Sequence, residues 1–347
     1  MKKAEIIFLS VFGLLVIIVA GYLIADQPHT PQFRGKDGKV LGGSIASLEK
    51  VNIGGVNQYM LIRGKNTSSP VLLFLHGGPG MPAMYLAHAF QKPLEEHFVV
   101  VHWDQRGAGK SFNEDVPIET MNVEQFISDT VELAGMMKER FGQEKIYLVG
   151  HSWGSYLGML VVERHPELFY AYISIGQVAG EKSQVIQIQD EFIRQQAQAS
   201  SNQEALTDMQ INPDGMREKW LFYYGGELYG AQDFTPLLMT GLRSPEYSLF
   251  DALKIQPGVS FSGENMQYNV IDGSIMDTIT KVEIPVYFFT GRHDYTTPFS
   301  LIEMYYEKLE APHKRLVWFE ESAHFPFFEE PGCFTDEMLK VLQEMKK

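Results

Sequence analysis

Between positions 145 and 154 the chain reads KIYLVGHSWG: an apolar run, Ile146-Tyr147-Leu148-Val149, that stops at Gly150-His151-Ser152-Trp153-Gly154. The run is short for a helix and does not alternate with polar residues, which suits a strand buried on both faces. The five residues after it have the pattern G-x-S-x-G, and residues 152–164 then carry a helical period. A serine between such a strand and such a helix sits on a tight turn. Glycines on either side let neighbouring backbone approach where a Cβ would clash. The position is also a helix N-terminus, whose partial positive charge favours a developing oxyanion. Ser152 is the candidate nucleophile.

Runs of the same kind recur on either side. They are Val71–Leu75 before His76-Gly77-Gly78, 98–103 before Asp104, 170–175, 286–290 before Gly291, and 315–319 before Glu320. Helical periods over Val123–Phe141, 299–309 and 334–345 lie between several of them. This alternation predicts a mostly parallel sheet with helices on both faces. Two apolar stretches, 45–53 and 58–62, flank Gly54-Gly55 and predict a leading hairpin. From about 179 to 281 the rhythm breaks: the segment is rich in Gln, Met, Tyr and Glu, with a helical period over 183–198. It reads as a mainly helical cap inserted after the sixth strand. The expected division is an anchor at 1–25, a linker at 26–43, core at 44–178, cap at 179–281 and core again at 282–347.

An activated serine needs oxyanion donors and a base. His76-Gly77-Gly78-Pro79-Gly80 follows the third run and can turn a backbone N–H toward Ser152, so the N–H groups of Gly78 and Trp153 are the candidate oxyanion pair. On a sheet of this type the acid and then the base follow the serine in chain order. Asp294 lies just past the run at 286–290 and His324 just past that at 315–319, both at strand carboxyl ends. Among the ten histidines, His293 beside Asp294 is the rival base, and His151 belongs to the serine turn. Gly109-Lys110-Ser111 resembles the end of a phosphate loop, but Asp104 stands where its first glycine is needed. No H-E-x-x-H is present, and neither metal nor cofactor is implied.

Composition bounds the rest. The 347 residues are 45% hydrophobic and carry a formal net charge of -14, which suits a packed globular core and argues against nucleic acid as a partner. Cys333 is the sole cysteine, so no intrachain disulfide forms. Lys2 and Lys3 precede an apolar run over 6–25, interrupted by Ser10, Gly13, Gly21 and Tyr22. About 20 apolar residues suffice for a bilayer-spanning helix, and flanking lysines stay cytoplasmic. The expectation is therefore a single-pass membrane protein whose catalytic part is extracellular.

Residues 76–80, then Trp103-Asp104-Gln105-Arg106-Gly107-Ala108-Gly109-Lys110-Ser111, then 150–154 resemble the proline iminopeptidase family, where H-G-G-P-G, D-Q-R-G-x-G-x-S and G-x-S-W-G occur in this order. The resemblance spans about 45–178 and 282–345. It implies an α/β-hydrolase fold and a serine aminopeptidase that releases an N-terminal residue, often proline, from small peptides. It also implies Ser152, Asp294 and His324 as the triad. Family members hold the substrate amine with cap glutamates, one in a W-x-x-W-E-like context and one in an E-N-H-Y-F-like segment. Here the comparable stretches are Trp220-Leu221-Phe222-Tyr223-Tyr224-Gly225-Gly226-Glu227 and Glu264-Asn265-Met266-Gln267-Tyr268, so Glu227 and Glu264 are the candidate carboxylates. Tyr224, with Trp220 and Tyr223, is a candidate wall of the substrate pocket. The first glutamate stands about three residues late, and the second segment keeps only its first two residues. An esterase acting on small or lipidic esters is the alternative expectation.

Overall fold

The computed structural model describes residues 27–113, 115–267 and 274–346. Eight strands form one sheet: β1 (Ile45–Ile53), β2 (Val56–Gly64), β3 (Val71–Leu75), β4 (Val99–Asp104), β5 (Ile146–His151), β6 (Phe169–Ile175), β7 (Val286–Gly291) and β8 (Lys314–Phe319). Their spatial order is β1-β2-β4-β3-β5-β6-β7-β8. β1 pairs antiparallel with β2, and β2 antiparallel with β4; every later pairing is parallel. The leading hairpin turns at Gly54 (φ 55°) and Gly55 (φ 80°), two successive left-handed residues of the kind that match strand twist in two-residue hairpins.

The central strands read as unbroken apolar runs because both faces are covered. Leu73 and Leu148 point into one cluster with Phe126, Leu157 and Ile302, while Phe74 and Val149 point into another with Phe90, Phe334 and Met338. Helices α1 (Val123–Phe141) and α2 (Trp153–Arg164) pack on the first face. α1 starts where the Asn122 side chain accepts from Gln125 N–H and stops at Gly142, φ 62°. This is the usual pairing of a polar N-cap with a left-handed glycine at the far end.

Between β6 and β7 run α3 (Lys182–Ala199), α4 (Gln203–Ile211), α5 (Pro213–Tyr223), α6 (Thr235–Gly241), α7 (Leu249–Leu253) and α8 (Ile255–Asn265). The first three share a small core of their own around Phe192, Ile193, Met209 and Trp220. α7 is tied to the main body by Lys110 Nζ, 2.6 Å from Asp251 Oδ2. Of the helices that follow β7, the two longest among the described residues are α9 (Phe299–Lys308) and α10 (Pro331–Glu344). α10 begins earlier than its apolar period suggests because Pro331 at the first helical position is already set for the helix.

The expected transmembrane helix, and the membrane-bound extracellular enzyme inferred from it, are corrected. Among the described residues no helix is long and apolar enough to cross a membrane. The longest, α1, carries Glu124, Asp129, Glu132, Lys138, Glu139 and Arg140, and ionic groups of that density are costly in hydrocarbon. The apolar run at 6–25 on which the expectation rested lies outside the described residues.

Candidate active site

Ser152 stands between β5 and α2 at φ 53°, ψ -118°, a conformation that L-residues avoid and that the surroundings must enforce. The enforcement is steric and local. A Cβ on Gly150 would lie 2.3 Å from Gly154 O, and one on Gly154 would lie 2.3 Å from Leu75 O. Both glycines of the motif are thus needed for β5, β3 and α2 to close on one point. Ser152 N–H donates to Ile175 O at 3.0 Å, fixing the turn to β6.

The loop after β3 comes to the same point. Gly78 has φ 112°, and a Cβ there would lie 2.5 Å from Gly80 N. His76 Nε2 accepts from Gln105 N–H at 3.0 Å, so its Nδ1–H donates to Gly77 O at 2.8 Å. Burial holds its pKa down at about 4, so the ring stays neutral in that tautomer. Gln105 also accepts from Trp153 Nε1–H at 3.1 Å and reaches His76 O at 3.4 Å, joining the two candidate oxyanion loops. The next residue, Arg106, makes a buried two-pronged pair with Asp129 (Nε–Oδ2 2.7 Å, second nitrogen to Oδ1 2.9 Å). Asp104 accepts from Tyr247 O–H and from Lys110 N–H at 2.9 Å, and burial nevertheless pushes its pKa up to about 7. The segment 104–111 therefore braces the site without lining either cavity that meets Ser152.

His324 Nδ1 lies 2.9 Å from Asp294 Oδ2, with both side chains buried. Asp294 also accepts from Thr297 N–H on Oδ1 and from Thr297 O–H on Oδ2, each at 2.9 Å. Burial alone would lower the His324 pKa. The Asp294 charge and hydrogen bond, helped by Glu227 and Glu329, more than offset it, and the pKa rises above the ordinary imidazole value. Close approach again demands glycine: a Cβ on Gly176 would lie 2.8 Å from His324 Cε1, and one on Gly291 would lie 1.9 Å from Ala323 O. His151 donates from Nε2 to His324 O at 2.8 Å, and burial drives its pKa well down. His293 stacks on Tyr229, with ring centroids 4.3 Å apart, and lines neither cavity at Ser152.

Two cavities meet at Ser152 and Gly78. One, about 330 Å³, is walled by His324, Glu227, Thr296 and apolar groups that include Tyr85, Leu237 and Phe325. The other, about 920 Å³, runs along Trp153, Tyr156 and residues 177–183. Glu227 is half-buried in the wall of the first, accepts from Thr296 O–H, and has its pKa raised by burial. Two other expected substrate contacts lie away from these cavities. Glu264 is exposed and lines neither cavity. Tyr224 stacks on Trp220 (centroids 5.9 Å) and faces a separate hollow of about 550 Å³ with Phe192 and His293. The chain reverses at Gly225, φ 74°, so residues on either side of that turn serve different surfaces.

Three supporting residues went unread in the sequence: Thr297, Gln105 and Glu329. Glu329 accepts from the backbone N–H groups of Ala323, Phe325 and Tyr229. The one sequence signal was for Gln105, which stands in the stretch 103–111 that resembles the family motif.

A G-x-S-x-G turn at the carboxyl edge of this sheet, with a buried Asp–His pair beside it, defines an α/β hydrolase, and residues 70–211 match the alpha/beta hydrolase fold family. The chain is 33% identical over 306 residues to the probable aminopeptidase YbaC of Bacillus subtilis, covering 84% of this chain and 95% of that one. It is 27% identical over 295 residues to the proline iminopeptidase of Clostridioides difficile, covering 84% and 94%. The chain belongs to the proline iminopeptidase-like aminopeptidase family and is a hydrolase. Among solved structures, the proline iminopeptidase of Mycobacterium smegmatis superposes with a TM-score of 0.65 over 86% of this chain and 98% of that one, at 19% identity. An esterase from Exiguobacterium antarcticum shares the fold with a TM-score of 0.55 over 86% and 100%, at 20% identity.

Proposed function

We propose that the protein is a serine aminopeptidase that releases the N-terminal residue of a peptide through an acyl-enzyme. In this reading His324 takes the proton from Ser152 Oγ and the alkoxide adds to the scissile carbonyl. The N–H groups of Gly78 and Trp153 receive the oxyanion. Asp294 keeps the His324 proton on Nδ1 and stabilises the imidazolium. The protonated ring then gives its proton to the leaving amine, and water repeats the sequence on the ester formed at Ser152.

The observation that carries the peptidase reading is Glu227, a carboxylate in the wall of the small cavity shared by Ser152 and His324. A half-buried carboxylate is costly to ionise unless a cation meets it, and the α-ammonium of an N-terminal residue is such a cation. The small cavity, near the lower end of the range for ligand sites, suits one residue. The larger one beyond Ser152 suits the departing chain, and residues 179–281 then act as the cap over both. The apolar groups around Glu227 favour a second reading, hydrolysis of short acyl esters.

Assays of Pro-, Ala- and Leu-amide chromogens beside short acyl esters separate the two. Aminoacyl turnover is expected, and ester turnover alone would overturn the peptidase reading. For Glu227→Gln, kcat/KM on aminoacyl amides is expected to fall about 10- to 100-fold, the worth of one hydrogen bond to a charged group, mainly through KM. An unchanged KM would remove Glu227 from amine recognition.

A further inference from the structure

The base and the amine-facing carboxylate come from segments nearly a hundred positions apart, and their spacing has to be set by something. Four backbone N–H donors join the two segments or hold the His324 loop. His324 N–H donates to Glu227 O at 3.1 Å. The other three all end on the carboxylate of Glu329. Tyr229 N–H donates to Oε1 at 2.6 Å, Phe325 N–H to Oε2 at 2.8 Å, and Ala323 N–H to both oxygens at 3.1 Å. Ala323 and Phe325 bracket His324, and Tyr229 lies two residues beyond Glu227.

We infer that Glu329 is a positioning residue for substrate recognition: it holds the His324 loop and the Glu227 segment in one register, so that an ammonium paired with Glu227 has its carbonyl at Ser152. This rests on the aminopeptidase reading and goes beyond it, because Glu329 touches neither the reacting atoms nor either cavity. The chemistry of the side chain makes the role specific. Only a carboxylate offers acceptors on both ends, and all three of its partners are donors. A glutamine of the same shape must turn an NH₂ toward either Tyr229 N–H or Phe325 N–H, where donor meets donor, and that end of the clamp is lost.

The test uses two readouts on the full-length protein. Turnover of an alanyl-amide chromogen needs both Glu227 and His324 in place. Labelling of Ser152 by a fluorophosphonate needs His324 but no amine site. For Glu329→Gln, kcat/KM on the alanyl amide is expected to fall about tenfold or more, within the loss of up to ~100-fold that a ~1 Å misplacement brings. The labelling rate is expected to stay within about threefold, the worth of one modest hydrogen bond, because Ala323 N–H still meets the remaining oxygen and His324 N–H still meets Glu227 O. The ratio of the two is independent of how much protein is folded, and Glu329→Asp, which keeps the charge but shortens the reach, is expected to shift it in the same direction. Equal losses in both readouts, or no loss in either, would overturn the proposal. A wild-type protein that labels but does not hydrolyse aminoacyl amides would instead overturn the aminopeptidase reading, and the inference with it.

Discussion

Ser152→Ala is expected to lower kcat on aminoacyl amides by about 10⁴- to 10⁶-fold, as removal of the nucleophile does in serine hydrolases that work as a unit. The expectation follows from the backbone. A serine at φ 53°, ψ -118° is held there by the packing of Gly150 on Gly154 and of Gly154 on Leu75 O. No neighbouring hydroxyl shares that position: Ser155 Oγ already donates to Ser152 O at 2.6 Å and accepts from Val178 N–H at 2.9 Å. Alanine fits the same backbone, so the variant should fold, bind substrate and fail at the chemical step. Steady-state kinetics with a thermal melt checks both halves. Activity within about 100-fold of wild type, more than binding and the oxyanion hole supply without a nucleophile, would mean that another group attacks.

Asp294→Asn is expected to cost about 10⁴-fold in kcat, the loss known for this exchange where the acid sets a histidine tautomer. Here the hydrogen bonds dictate which way the amide lies. Thr297 N–H donates to Oδ1, so the asparagine oxygen must occupy that place, and its NH₂ then faces His324 Nδ1. A donor there requires Nδ1 to accept, which moves the ring proton to Nε2 and blocks uptake of the Ser152 proton. The pH profile gives a second sign. In the wild type Asp294 raises the His324 pKa against the effect of burial. The active neutral ring is therefore lost as pH falls through a value above the ordinary imidazole range. In the variant that support is gone, and the acid limb of the residual kcat/KM is expected to move to lower pH. A limb that stays put would show that a different group titrates.

The sheet was legible because its signals are local. Continuous apolar runs ending in Gly, Asp or Glu mark strands covered on both faces, and Gly54-Gly55 marks a turn that only left-handed residues complete. The candidate residues were legible for the same reason: Ser152 sits in its own pentapeptide, and Asp294 and His324 follow strand ends. What supports them was not. Thr297, Gln105 and Glu329 are ordinary residues whose roles depend on loops from different strands meeting in space. Tyr224 and Glu264 are the opposite case: they stand in suggestive stretches of sequence, but one turn at Gly225 sends Tyr224 to another surface, and Glu264 faces solvent. Hydropathy of the run at 6–25 addressed only length and composition, and no described helix carries that reading further.

Peptide mapping after fluorophosphonate treatment is the most direct measurement. One adduct per chain is expected, on the hydroxyl at position 152, forming more slowly in acid as the imidazole at 324 takes up a proton. An adduct on any other side chain, or labelling that persists at the wild-type rate once that hydroxyl is removed, would contradict the assignment of the nucleophile and the mechanism built on it.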